Sequence, residues 1–328
     1  MIFTKNKKLR EIFRIWKNVY RIRLVEETIA KEYSKGEMRC PTHLSIGQEA
    51  VSSCIQEFIN KNDYAISGHR GHAHYLAKGG NLKKMLCEIF GKENGCANGR
   101  GGSMHLIDRS VGFAGTTAIV GNSIPIGVGL AFSQKLEKKK NITIIYFGDG
   151  AIEEGVFYES VNFAVLKKLP VLFVCENNFY SVYSPLSVRQ PVGRSISKMV
   201  NGMSCDTISG DGNNPFQICS KVSKAIKKLR NGKGPIFAEF KTYRHREHCG
   251  PNLDDDLNYR PIKERSYWFK KDPLLLLEKK LNFFKLSKKM IIEKNLVKKE
   301  VLEAFRFARL SKFPKKNLKI KEVYAKKL

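Results

Sequence analysis

The chain has 328 residues and 42% hydrophobic content, enough for a sizeable core, and no run approaches 18 consecutive apolar residues, which excludes a membrane-spanning helix on sequence grounds. Its 59 Lys and Arg outnumber 31 Asp and Glu for a net charge of +28, but the cations gather in helical stretches at 221–233 and 270–328 without an aromatic platform or nucleic-acid motif. A solvated lysine-rich surface is therefore favoured over nucleic-acid binding, with an acidic partner protein the next reading.

The basic, amphipathic start could pass for a targeting helix, but no small-residue cleavage site follows an apolar core, and a transit peptide is not expected. Leu9, Ile12, Phe13, Trp16, Tyr20, Leu24 and Ile29 recur at helical spacing and predict an amino-terminal helix over 9–34. A second helix is predicted over 121–140, small on one side through Gly127, Gly129 and Ala131. Ile142 to Phe147 and Val171 to Cys175 read as strands buried on both faces. Between them, a helix over 153–166 carries Val156, Phe157, Val161, Ala164 and Val165 on one stripe.

The polar, proline-containing segment 181–203 lacks periodicity and reads as a loop over the mouth of a site. Ile236 to Lys241 reads as a further buried strand that delivers 242–251 to the same sheet edge. Beyond Asp272-Pro273 a helical pair is predicted at 274–284 and 297–310, with 315–328 expected to fray. The cysteines at 40, 54, 87, 96, 175, 205, 219 and 249 form no CxxC pair, which argues against a zinc knuckle or disulfide framework and suits a reducing cytoplasm. The pattern predicts an α/β fold with a doubly wound, mostly parallel sheet flanked by helices: one domain over 1–328, with a core at about 40–250 and carboxyl-terminal helices at about 272–314.

The strand, turn, helix, strand stretch 142–185 carries the chemistry. Asp149 offers a carboxylate and Asn178 an amide carbonyl, hard oxygen donors of the kind magnesium or calcium takes. They lie 29 residues apart, each after a predicted strand, so parallel pairing would bring them side by side. Gly148 and Gly150 admit a bulky anion, and a helix starting near Ala151 would point N–H groups at a phosphate. A lone Gly-Asp-Gly is often only a turn.

The pair Gly-Asp-Gly and Asn-Asn resembles the thiamine diphosphate signature. Four more segments share the resemblance: THLSIGQEA (42–50), SGHRGHAHYLAKGG (67–80), GRGGSMHLID through AIVGNSIPIGVGLAF (99–132) and TYRHREHCGP (242–251). Together they are similar to the alpha subunit of the first component of 2-oxo acid dehydrogenases, over about 9–314.

The resemblance implies a thiamine diphosphate-binding fold, with Mg2+ held by Asp149, Asn178 and the Tyr180 carbonyl. It implies diphosphate contacts from Arg70, His248, Gly150 and Ala151, with His69 where many relatives carry Tyr, and aminopyrimidine contacts from the backbone at Ala118 and Val120. His43 and His248 are the candidate catalytic groups facing the reacting carbon. His72 reads as a loop organiser, as do Ser103 and His105. Cys249 stands where some relatives carry a phosphorylated serine, so that switch cannot operate here.

The implied reaction decarboxylates a 2-oxo acid, pyruvate first, and passes the acyl unit to the lipoyl arm of an acyltransferase. A beta subunit supplies the glutamate that activates the cofactor, in an assembly of two chains of each kind, and the 121–140 helix would lie at a subunit interface. An acetoin dehydrogenase is the alternative, since the 67–80 loop is similar to acetoin-cleaving members. Transketolase, whose amino-terminal half also has Gly-Asp-Gly followed by Glu-Gly as at Glu154-Gly155, fits less well, because the GQEA and GGSMH segments favour the dehydrogenase. A non-catalytic cofactor carrier or basic binding protein is disfavoured by the intact Asp149, Asn178, Arg70 and His248.

Overall fold

The structure is a computed structural model that describes residues 6–315. In chain order it runs through helices α1 (Lys7–Tyr33) and α2 (Glu49–Gln56), strand β1 (Tyr64–Ser67), α3 (His72–Ala77), α4 (Leu82–Ile89), β2 (Phe113–Thr116) and α5 (Ser123–Leu136). Next come β3 (Thr143–Gly148), α6 (Gly155–Leu166), β4 (Val171–Asn177), the short β5 (Tyr180–Ser181) and β6 (Ser184–Pro185), α7 (Leu186–Arg189) and α8 (Ile196–Gly202). The remainder is β7 (Asp206–Asp211), α9 (Pro215–Arg230), β8 (Ile236–Lys241), α10 (Ile262–Lys270), α11 (Pro273–Phe283) and α12 (Ser287–Leu310). No described helix is long and apolar enough to cross a membrane.

Six strands form one parallel sheet in the order β2-β1-β3-β4-β8-β7. The two-residue repeat of β-strands sorts their side chains into two cores. Ile144, Tyr146, Leu172, Val174, Ala238 and Phe240 face a layer built from α1, α2, α4, α9 and the carboxyl-terminal helices. Ile145, Phe147, Phe173, Cys175 and Phe237 face α5, α6 and α8. Both faces are covered, so the central strands read as unbroken apolar runs rather than alternating ones. Trp16 anchors α1 in the first layer, fully buried and stacked on Tyr20, and Asn6 caps that helix by accepting from the Leu9 N–H at 3.0 Å.

Several expectations meet corrections. The α-helix after β3 starts at Gly155, not near Ala151, because a tight 3-10 turn over Asp149–Glu153 intervenes. Phe157, Val161 and Ala164 are buried as expected, while Val156 and Val165 are only partly so. Segment 181–203 is not an open loop: it contains the β5–β6 hairpin, α7 and α8, whose Ile196 and Val200 plug into the second core. Two buried positions four residues apart give too short a period to read in sequence. Beyond Asp272-Pro273 lie two helices, as expected, but α12 begins ten residues before the expected 297, and α10, ahead of them, was unforeseen. Of the tail expected to fray, residues 316–328 lie outside the described residues.

Helix α5 reaches the sheet through a glycine. A Cβ on Gly127 would meet Ile145 Cδ1 at 2.5 Å and Ile66 Cγ2 at 2.9 Å, whereas one on Gly129 would meet nothing within 4 Å. Gly127→Val is expected to destabilise the chain by about 2 kcal/mol through overpacking, and Gly129→Ala to stabilise it by up to about 1 kcal/mol through helix propensity. Urea denaturation of the two variants checks both signs.

Candidate functional site

The chain leaves β1 toward β2 and leaves β3 toward β4, in opposite directions across the sheet. Between β1 and β3 the strand order therefore reverses, and outside their carboxyl ends a crevice must open. A cleft of about 130 Å³ lies there. Its walls include Gly68, His69 and Arg70 from the end of β1, Gly148 to Ala151 from the end of β3, Glu176 and Asn178 from the end of β4, Val120 before α5, and Tyr180 and His248.

Strand register sets the geometry. Gly148 pairs with Glu176 and Asn177 with Lys241, so β3, β4 and β8 end at one level. Asp149 and Asn178 follow, both buried, and the Asn178 N–H donates to Asp149 Oδ1 at 3.2 Å. Asn178 Oδ1 accepts from the Tyr180 N–H at 3.2 Å, while the Tyr180 hydroxyl donates to Glu264 at 2.8 Å and so is directed away. Burial pushes the Asp149 carboxyl up, and the Arg189 guanidinium, ion-paired with it, opposes that shift. A buried carboxylate that recruits a cation, beside an amide oxygen and a glycine-lined turn, has the donor chemistry of a hard divalent ion that carries an anion.

Three imidazoles cluster at the same cleft, His69 and His248 in its lining and His43 packed against them. The ring centroids of His43 and His69 are 4.6 Å apart, those of His43 and His248 5.1 Å, and those of His69 and His248 5.5 Å. Burial first, then the neighbouring Arg70 charge, lowers His43 to about 2, His69 to about 4 and His248 to about 3. All three are neutral at physiological pH, and Arg70 is the cation of this wall. Arg70 donates to the Leu44 carbonyl at 2.6 Å and the His248 carbonyl at 3.0 Å, which fixes its head at the cleft.

Residues 17–317 match the family described as Dehydrogenase E1 component. The chain is 34% identical over 320 residues to "Pyruvate dehydrogenase E1 component subunit alpha" of Rickettsia felis, covering 96% of each. It is 33% identical over 312 residues to "Pyruvate dehydrogenase E1 component subunit alpha-3, chloroplastic" of Arabidopsis thaliana, covering 92% of this chain and 72% of that one. With "Pyruvate dehydrogenase E1 component subunit alpha" of Zymomonas mobilis it shares 35% identity over 255 residues, 77% of this chain and 71% of the relative. The chain belongs to the dehydrogenase E1 component family. This E1 chain is a thiamine diphosphate-dependent oxidoreductase of the class that uses a lipoyl acceptor, and its sheet is the thiamine diphosphate-binding fold.

Most of the residues singled out in the E1 sequence converge. His69, Arg70, Val120, Asp149, Gly150, Ala151, Asn178, Tyr180 and His248 line the one cleft, and His43 packs against two of them. Ala118 is not among the lining residues. His72 is fully buried, 2.9 Å from Ser103 Oγ and 3.2 Å from Glu26, as a loop organiser should be. His105 is exposed, so only Ser103 of that pair holds the loop.

Three determinants escaped the sequence reading. Gln48 Oε1 accepts from Asn178 Nδ2 at 3.1 Å and from Thr242 Oγ1 at 2.9 Å, tying the 42–50 loop to β4 and β8. Gly47 allows that approach: its φ is +96°, and a Cβ there would lie 2.4 Å from the Tyr243 carbonyl oxygen. Glu88 is fully buried and accepts the N–H groups of Ala97, Gly99, Gly101 and Gly102, shaping the loop that presents Ser103. Arg189 lies in the segment read as a loop, where no motif marks it. For Gln48 a signal existed, a polar residue inside a motif with no turn role of its own, whereas Glu88 falls between the 67–80 and 99–132 segments.

His43, His69, His248 and His245 all have lowered folded-state values, His245 to about 4. Below the unfolded value of about 6.5 the unfolded chain binds protons that the folded chain refuses, so stability falls with falling pH. Urea unfolding free energies are expected to drop between about pH 6.5 and pH 5, above the range where most carboxylates titrate. A His69→Tyr, His245→Phe double variant should flatten that drop.

Proposed function

We propose that this E1 chain is the alpha subunit of a 2-oxo acid dehydrogenase, pyruvate being its substrate, and that it acts as one unit in the cytoplasm with Mg2+ and thiamine diphosphate. The observation that carries this is the buried Asp149–Asn178 pair at the ends of adjacent parallel strands, in the cleft that Arg70 and His248 also line. Pyruvate is favoured by the relatives' names, and the cytoplasm by eight free cysteines among the described residues. Acetoin is the second reading, on the SGHRGHAHYLAKGG loop alone, whose His74 stacks on Tyr146 and lies 3.1 Å from Glu176.

In this reading Asp149, the Asn178 side chain and the Tyr180 carbonyl hold the metal, and the Gly150 and Ala151 N–H groups meet the diphosphate together with Arg70, His69 and His248. Backbone at Ala118 and Val120 takes the aminopyrimidine. When bound, thiamine diphosphate supplies a nucleophilic carbon and an electron sink for the leaving carboxylate. Arg189 leaves Asp149 to the metal, its other partner Glu153 at 2.6 Å staying available to receive it. His43 and His248, neutral and adjacent, face the reacting carbon and are suited to donate a ring N–H to charge that develops there.

A beta subunit completes the site by contributing the glutamate that activates the pyrimidine, in an assembly of two alpha and two beta chains. Ile119, Ile126 and Leu136 on and before α5 are exposed apolar side chains that suit a partner surface. The lipoyl arm of an acyltransferase then receives the product. Nucleic acid and membrane have no part in this reading.

Asp149→Ala is expected to lose Mg-dependent thiamine diphosphate binding, measured by titration calorimetry with the beta subunit present; parent-like affinity would overturn the metal assignment. His248→Ala should keep the assembly but lose about 100-fold to 10,000-fold in turnover. An artificial electron acceptor with pyruvate, branched-chain 2-oxo acids and acetoin reads both that loss and the substrate. Parent-rate turnover by His248→Ala would remove its role at the reacting carbon.

A further inference from the structure

We propose that His43, His69 and His248 form a tris-imidazole site for a borderline-soft transition cation of the Zn2+ class, distinct from the oxygen-donor site at Asp149. One ring nitrogen from each residue lies within 4.8 Å of the others. Around a zinc ion with bonds of about 2.05 Å, tetrahedral geometry sets neighbouring ligands about 3.3 Å apart. Closing from the observed spacing needs side-chain rotation of about an ångström. His69 and His248 are only half-buried on the cleft wall and can supply it.

One of the nitrogens is unsatisfied as it stands. His43 is 7% exposed, and its Nδ1 has no hydrogen-bond partner among the described residues. A buried ring nitrogen without a partner is costly, and coordination would satisfy it or fix the tautomer that frees the opposite nitrogen.

His248 Nδ1 lies 3.4 Å from Arg70 Nη2, a long contact, while the same Nη2 donates to the His248 carbonyl at 3.0 Å. The ring can therefore turn without stripping Arg70 of its acceptors. The guanidinium repels a cation, so the site is weaker than a closed structural zinc site.

Three protein nitrogens leave a fourth position open, the arrangement of a zinc site that keeps an exchangeable ligand. Imidazole donors select Zn2+, Co2+ or Ni2+ over Mg2+, which prefers carboxylate and carbonyl oxygens. His69 decides the matter, because with tyrosine there only two imidazoles would remain. If the cofactor reading above holds, a cation on this wall also excludes the cofactor's reacting end; the binding itself does not rest on that reading.

Cobalt(II) is the probe, titrated into the full-length chain without thiamine diphosphate. The expected result is one equivalent bound with the intense visible bands of four- or five-coordinate cobalt, bleached by added Zn2+. Outer-sphere changes alone shift metal affinity about 10-fold to 100-fold, so His69→Phe and His43→Phe should each weaken binding more than about 100-fold, with Asp149→Ala unchanged. Far-UV circular dichroism confirms folding, and His69→Tyr replaces the phenylalanine variant if that one fails to fold. Only the weak bands of octahedral cobalt, thiolate charge-transfer bands, loss of binding in Asp149→Ala, or parent-like affinity in a folded His69 variant would each overturn the site.

Discussion

The in-register parallel pairing of β3, β4 and β8 is the constraint on which the site depends. With Gly148 opposite Glu176 and Asn177 opposite Lys241, three crossovers deliver their next residues to one edge at one height. A slip by one residue would exchange the two faces of a strand and carry Ile145 and Phe147 out of the core they share with α5 and α6. The apolar content of both faces thus fixes where a buried aspartate and a buried asparagine meet. Gln48 then ties two of the three strand ends with one amide oxygen.

Around that edge, buried carboxylates do backbone work. Glu88 gathers four N–H groups of the glycine-rich loop, and Glu26 accepts the Ser45 N–H at 2.9 Å while facing His72. Hydrogen bonds to a charged acceptor contribute more than neutral ones. The 97–102 loop and the backbone at Ser45 are therefore held by fixed acceptors within the core. Arg244 acts similarly: fully buried, it donates to the Val182 carbonyl at 2.7 Å and the Tyr259 hydroxyl at 2.8 Å, so the β5–β6 hairpin and the 242–260 segment move as one.

The cleft's electrostatics are asymmetric. One wall holds an anionic group that burial disfavours and an arginine compensates; the other holds three neutral rings and one cation, Arg70. Histidines kept neutral by burial and by a nearby guanidinium keep a ring N–H to donate and a lone pair to offer, and Arg70 remains charged to hold an anion. Two kinds of donor, oxygen and nitrogen, share one crevice.

Much of this was determined by the sequence alone. The apolar runs at 142–147, 171–175 and 236–241, the helix between the first two, and the Asp149 and Asn178 pair after strand ends are local patterns, and local periodicity and turn chemistry suffice to read them. The strands at 64–67 and 206–211 were not legible: the first is only four residues long, and the second is a polar edge strand, half-buried along its length. Only tertiary structure decided that Arg189 meets Asp149 across 40 residues, that Gln48 reaches Thr242 across 194, and that His43, His69 and His248 come within one ion's reach. These contacts are set by strand order and by where loops cross, properties of the whole sheet that no single window of sequence carries.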